Sequence, residues 1–162
     1  AGIHGRMNAF DPASDVSALN AAGGRDVAVH ADVHRLLFRS KEYAQVTGGA
    51  FDVTAAPLTV LWRRAGKEDV LPTTEEMSRA RQLVGAGRIE LLAQSRVRVP
   101  DGMTVDLGGA AAGFAADEAA SILRASGFSD FMVDAGGEIY AAGVSCEGRP
   151  WRVGINDPAA PG

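Results

Sequence analysis

The chain has 162 residues, 46% of them hydrophobic, enough for one globular domain with a working core. A formal net charge of -4 and a pI near 5.3 supply no broad pull toward polyanions, which excludes nucleic acid and anionic bilayers as main partners. Cys146 is the single cysteine, so an internal disulfide and multi-cysteine zinc or iron–sulfur sites are excluded, and no stretch approaches the ~18 apolar residues of a membrane span.

Asp11-Pro12 predicts an N-cap and a first helical position, with Val16 and Leu19 as the apolar side of a short helix that ends in Asn20-Ala21-Ala22-Gly23-Gly24. A second helix is expected over residues 31–45, where Val33, Leu36, Leu37 and Tyr43 recur at helical spacing and Thr47-Gly48-Gly49 stops the pattern. Residues 57–64 read as another short helix, and Thr73-x-x-Glu76 is a capping box opening one that runs to Val84. Residues 88–93 and 96–99 flank Gln94-Ser95 as a hairpin would, and Pro100-Asp101-Gly102 turns the chain into a strand over 103–107. An alanine-rich helix follows from Gly108 to Arg124, with Phe114, Ile122 and Leu123 as its larger apolar contacts and Gly127 as its stop. Strands are expected at 130–134, 138–142 and 151–155. Helices mixed with hairpin-connected strands predict an α+β fold with a largely antiparallel sheet and packed helices, in one domain covering residues 1–162.

Three segments carry candidate chemistry. In MTVDLGGAAAGFAA (residues 103–116) a strand runs through Asp106 into a glycine-rich helix start, where free N–H groups and the helix dipole can hold an anion; tight helix–sheet packing explains the same glycines. In TGGAFDVTAAPL (residues 47–58), Phe51 offers an aromatic face and Asp52 and Thr54 offer oxygens that could grip a ring and a ribose. The alternative is a capped loop in which Phe51 fills core and Asp52 binds nearby backbone N–H groups. The glycines of Asp134-Ala135-Gly136-Gly137-Glu138 admit a ligand or merely form a hairpin turn. His4, His30 and His34 make no metal-ligand pattern, and no Gly-x-Ser-x-Gly elbow joins a serine to a histidine and an aspartate.

Taken in order, MNAFDPASDVSALN (7–20), TGGAFDVTAAPL, VDLGGAAAGFAADEAA (105–120), DAGGEIYAAG (134–143) and PWRVGINDP (150–158) resemble the bacterial FAD:protein FMN transferases, also called thiamine-biosynthesis lipoproteins. That resemblance implies a transferase that binds FAD and a divalent metal, usually Mg²⁺, and attaches FMN through a phosphoester to a threonine of a target protein, releasing AMP. By matching motif positions, Phe10 is implied as an aromatic contact to FAD, Ala50, Phe51 and Asp52 as the flavin-nucleotide grip, Asp106 as a further FAD contact, and the Gly109 carbonyl as a metal ligand. No catalytic residue is implied. The family's usual Ala-Lys-Gly is Ala111-Ala112-Gly113 here, so a methyl at Ala112 replaces a cation near the cofactor, and weaker FAD binding or transfer is expected.

Family members also have an N-terminal strand whose methionine touches FAD, and continue beyond the position of Asn156-Asp157-Pro158 into segments that supply metal ligands. The expectation is a partial family domain, matched over about 7–158, from a periplasmic or lipoprotein-anchored parent. A flavin-binding module without transfer, or a structural fragment that dimerises through unpaired sheet edges, are the alternatives.

Overall fold

A computed structural model of the chain describes residues 2–155, 157 and 159. The 156–158 end of the last motif therefore lies outside the described residues, apart from Asp157. The chain forms two compact units, Ala1–Ala111 and Ala112–Gly162.

The first unit holds α1 (Ile3–Met7), α2 (Asp15–Asn20), β1 (Asp26–Ala28), α3 (Ala31–Val46), α4 (Ala56–Glu68), α5 (Thr74–Gln82), a 3₁₀ turn (Ala86–Arg88), β2 (Glu90–Leu92) and β3 (Arg96–Arg98). The three strands make one antiparallel sheet in the order β1-β3-β2, with Val97 at its centre opposite Val27 and Leu91. Val16 and Leu19 of α2 and Val33, Leu36 and Leu37 of α3 are buried with Val97 and Ile89, as apolar residues on one helix face and one sheet face should be. Thr73 and Glu76 form the expected capping box, which holds the Glu76 carboxyl down from 4.5 to about 2, first through the Thr73 N–H and then through Arg64. Between β2 and β3, Gln94 and Ser95 both adopt positive φ, 57° and 53°, the pairing of left-handed residues that a tight hairpin turn demands.

The cap of α2 differs from the expected one. Ser14 accepts the Ser17 N–H at 3.0 Å and starts the helix at Asp15, while Asp11 spends its carboxylate on the Ala13 N–H in the turn before it. Tyr43 of α3 is 51% exposed and meets Phe51 edge-on at 6.1 Å between ring centroids, so it belongs to the surface rather than the core. Residues 103–107 have the alternation of a strand, with Met103, Val105 and Leu107 buried and Asp106 exposed, but no strand pairs with them among the described residues.

Helix α6 (Gly108–Ala125) leads out of the first unit. In the second unit its Phe114, Ala116 and Ala120 are buried, whereas Ile122 is 67% exposed and not the core contact expected of it. Gly127 ends the helix at φ 88°, with the Gly127 and Phe128 N–H groups capping the Arg124 and Leu123 carbonyls. Strands β4 (Phe131–Asp134) and β5 (Ile139–Ala142) form an antiparallel hairpin. The Asp130 carboxylate ties that hairpin to the following loop: it accepts from the Ser129 hydroxyl and from the Val144 N–H, and both bonds lower its pKa. The strand expected over 151–155 is absent. Trp151 donates its indole N–H to the Ala142 carbonyl at 2.8 Å, but Val153 and Ile155 are exposed and unpaired with any strand among the described residues. No helix is long and apolar enough to cross a membrane among the described residues.

Candidate functional site

The first three motifs converge on the extended segment 103–107 of the first unit. From one direction, Asn20 at the end of α2 reaches Val105: its Nδ2 donates to the Val105 carbonyl at 2.9 Å and its Oδ1 accepts the Val105 N–H at 2.7 Å. From the loop after α3, the Val53 carbonyl accepts the Asp106 N–H at 2.8 Å. Segments separated by dozens of residues are thus fixed beside Asp106 by backbone and carboxamide hydrogen bonds, and the helix α6 begins two residues later.

Within the 47–58 loop, Gly48 and Gly49 take φ of 61° and 84°, which lets the Gly49 N–H close onto the Ala44 carbonyl and turn the chain out of α3. Phe51 then projects toward the start of α6, where a Cβ on Gly109 would lie 3.7 Å from its Cε2. Phe51 and Gly109, read from separate motifs, are therefore neighbours. Ala50 beside them is exposed.

Asp52 plays the part of a loop clamp. Its Oδ1 accepts the Thr54 N–H at 2.8 Å and the Thr54 hydroxyl at 2.6 Å, and its Oδ2 accepts the Ala86 N–H at 2.9 Å. Thr54, fully buried, accepts the Gly85 N–H at 2.7 Å in turn. A carboxylate has about four acceptor positions, so three protein donors leave Asp52 room for one more. Asp52 and Gly49 also line an open groove of about 950 Å³ with His34, Phe38, Lys41 and Ala86.

Asp106 is exposed, and its Oδ1 accepts the Gly108 N–H at 2.8 Å, an Asx cap over the first turn of α6. A Cβ on Gly108 would come to 3.0 Å of that oxygen, a tight approach that the carboxylate would have to shift slightly to relieve. The cap also changes what the helix start can bind. A phosphate approaching these N–H groups meets a carboxylate already there, whereas the second Asp106 oxygen is suited to accept from a hydroxyl or ring N–H.

Phe10 is 83% exposed, and its N–H is held by Asn8 Oδ1 at 2.9 Å. Ala112 stands half-buried on α6, three residues beyond Gly109, and extends no polar group. No group of three or more His, Cys, Asp or Glu able to hold a metal occurs among the described residues. The 134–138 segment is a hairpin turn, in which Asp134 Oδ1 accepts the Gly137 N–H at 2.8 Å. The sequence reading missed Asn20 as a site residue and gave Thr54 as a ligand oxygen, whereas Thr54 is fully buried and bridges two loops. Asn20 stood only as a helix stop, and a buried hydroxyl bridging two loops leaves no pattern in a linear sequence.

An α+β protein with packed helices and antiparallel sheets is the class that this fold defines, and solved flavin transferases superpose on it. The flavin transferase ApbE from Vibrio cholerae superposes with a TM-score of 0.82 at 29% identity, over 96% of this chain and 52% of that one. The apo flavinyl transferase ApbE of Pseudomonas stutzeri gives 0.82 at 28% identity, over 98% and 52%. In sequence, the FAD:protein FMN transferase of Haemophilus influenzae is 30% identical over 172 residues, covering 99% of this chain and 49% of its own length. Residues 1–161 match the ApbE family, and the chain belongs to it. It spans about half the length of the relatives it matches.

Proposed function

We propose that this chain supplies part of the FAD-binding site of a flavin transferase that moves FMN from FAD to a threonine of a target protein. In that reaction the threonine hydroxyl oxygen forms a bond to the FMN phosphorus, the bond from that phosphorus to the AMP oxygen breaks, AMP leaves, and the hydroxyl proton passes to a base. The convergence of three family motifs on residues 103–107, with Phe51 set against Gly109, is the observation that supports the reading most directly. Phe51 and the exposed Phe10 would offer aromatic faces to the flavin, the free Asp106 oxygen would accept from a hydroxyl or ring N–H, and the remaining acceptor position of Asp52 would take a second such donor.

In the same reading Mg²⁺ would stabilise charge on the pyrophosphate, with the Gly109 carbonyl as one ligand. The described residues do not by themselves compose such a site. Mg²⁺ wants carboxylates and water besides a carbonyl, no acidic cluster is present among them, and a carbonyl in the second position of α6 also serves the N–H four residues on. No step is therefore routed through the ion here. A periplasmic or lipid-anchored parent protein belongs to the same family-based reading.

The test is calorimetric titration of FAD, with and without Mg²⁺, into this chain and Asp106→Ala. We expect binding that weakens about tenfold or more in the variant, the scale of one hydrogen bond to a charged group. Absence of FAD binding, or equal affinity in the two proteins, would overturn the proposal. Ala112, where a lysine would bring a cation, favours a second reading in which FAD is held without transfer; release of AMP from FAD separates the two.

A further inference from the structure

Asn20 satisfies both backbone groups of Val105 with one planar carboxamide, across 85 residues of sequence. An antiparallel neighbour serves a strand residue through the same exchange of N–H and C=O bonds. Residues 103–107 have the burial alternation of a strand and no strand beside them among the described residues, so the Asn20 side chain stands where a paired residue would be. Val105 is 1% exposed, and water is poorly placed to replace the amide. One residue further on, the Asp106 N–H is held by Val53. Successive residues of the segment are thus fixed by two different motifs, and the Asp106 carboxylate is aimed by the pair.

We propose that Asn20 is a positioning residue for the flavin site: it holds the Val105 backbone so that Asp106 and the α6 start face the ligand. The inference rests on the FAD-binding reading above. The chemistry is specific to a carboxamide. Alanine leaves the Val105 N–H and C=O without partners; ionised aspartate keeps an acceptor for the N–H but sets an anion against the carbonyl oxygen. Protonated aspartate regains a donor, so Asn20→Asp should recover as pH falls through the carboxyl range near 4.

The experiment combines FAD titration with amide hydrogen exchange at Val105 and Asp106, on the wild-type chain, Asn20→Ala, Asn20→Asp and a remote control, Thr73→Ala, which loses the α5 capping box. In Asn20→Ala and Asn20→Asp at neutral pH, both amides should exchange about tenfold faster or more and the FAD Kd should rise about tenfold. Thr73→Ala should change neither locally, and Asn20→Asp should regain affinity relative to wild type near pH 4. If Asn20→Ala is too unstable to titrate, Asn20→Asp at the two pH values carries the same comparison. Faster exchange with unchanged FAD affinity would leave Asn20 a structural residue only, and unchanged exchange would show that it holds nothing at this junction. A wild-type chain that binds no FAD would overturn the functional reading itself, and the flavin part of this inference with it.

Discussion

Thr54→Val removes a single hydroxyl while preserving the shape of a fully buried side chain, and therefore isolates the hydrogen bonds that join the 47–58 loop to the 85–86 turn. The part-buried Gly85 N–H loses its acceptor, at about 1–3 kcal/mol, and the Asp52 carboxylate loses a hydroxyl donor worth about 1.5–3 kcal/mol. Two losses are partly offset: Asp52 keeps the Thr54 and Ala86 N–H groups, and the added methyl returns about 0.8 kcal/mol. The net destabilisation is roughly 2–4 kcal/mol, a large share of the ~5–15 kcal/mol that a typical domain has. At about 4 °C per kcal/mol for a unit of this size, the melting midpoint should fall by roughly 8–16 °C. Urea unfolding of wild type, Thr54→Val and Thr54→Ser reads this directly. The serine variant keeps both hydroxyl bonds and should lose only about 1 kcal/mol for its missing methyl, with the slope m unchanged in all three. A valine variant within about 0.5 kcal/mol of wild type would refute the bridging role of the hydroxyl and, with it, the account of how Asp52 is held.

Two further outcomes are expected. The Glu76 carboxyl is depressed in the folded chain to about 2, so its contribution is complete above the unfolded value near 4.5 and is lost as pH falls from there through 2; Glu76→Gln should flatten that part of the melting-temperature profile between pH 4.5 and 2, and a profile parallel to wild type would contradict the assignment. Ala112→Lys places a cation three residues along α6 from Gly109 and should tighten FAD binding about tenfold by calorimetry, with a steeper salt dependence than wild type; equal affinity would mean that position 112 does not face the ligand.

The elements that the sequence announces well are those whose signals are local. Thr73 and Glu76 fix the start of α5 through their own side chains, and Gly48-Gly49 ends α3 through backbone freedom that needs no distant partner. Errors fall where the outcome depends on what lies opposite. Tyr43 and Ile122 obey helical spacing, but periodicity gives the direction of a face and not the width that a neighbour covers, and both lie outside the covered stripe. Residues 151–155 alternate like a strand in sequence; Trp151 gains a partner through its indole N–H, and no strand comes alongside among the described residues. Asp11 and Ser14 are both good caps, and the choice fell to Ser14, whose hydroxyl also donates to the Asn8 carbonyl at 2.7 Å.

The same division runs through the candidate site. That the motifs at 7–20, 47–58 and 105–120 belong together is legible from their order, yet what brings them together is a carboxamide on one backbone residue and a carbonyl on the next. Neither bond has a sequence signature, because asparagine after a short helix usually reads as a stop signal. Asp52 shows the converse. Its place beside Phe51 in a family motif implies a ligand contact, while its two oxygens already accept from three protein donors that fasten one loop to another. On the proposed function such a clamp would serve binding by keeping Phe51 beside Gly109, and Asp106, whose Oδ2 lies outside its cap, would be the residue to touch the ligand. Substitutions at Asp52 should therefore appear first in stability and those at Asp106 first in affinity, a separation that follows from which acceptor positions the fold has already filled.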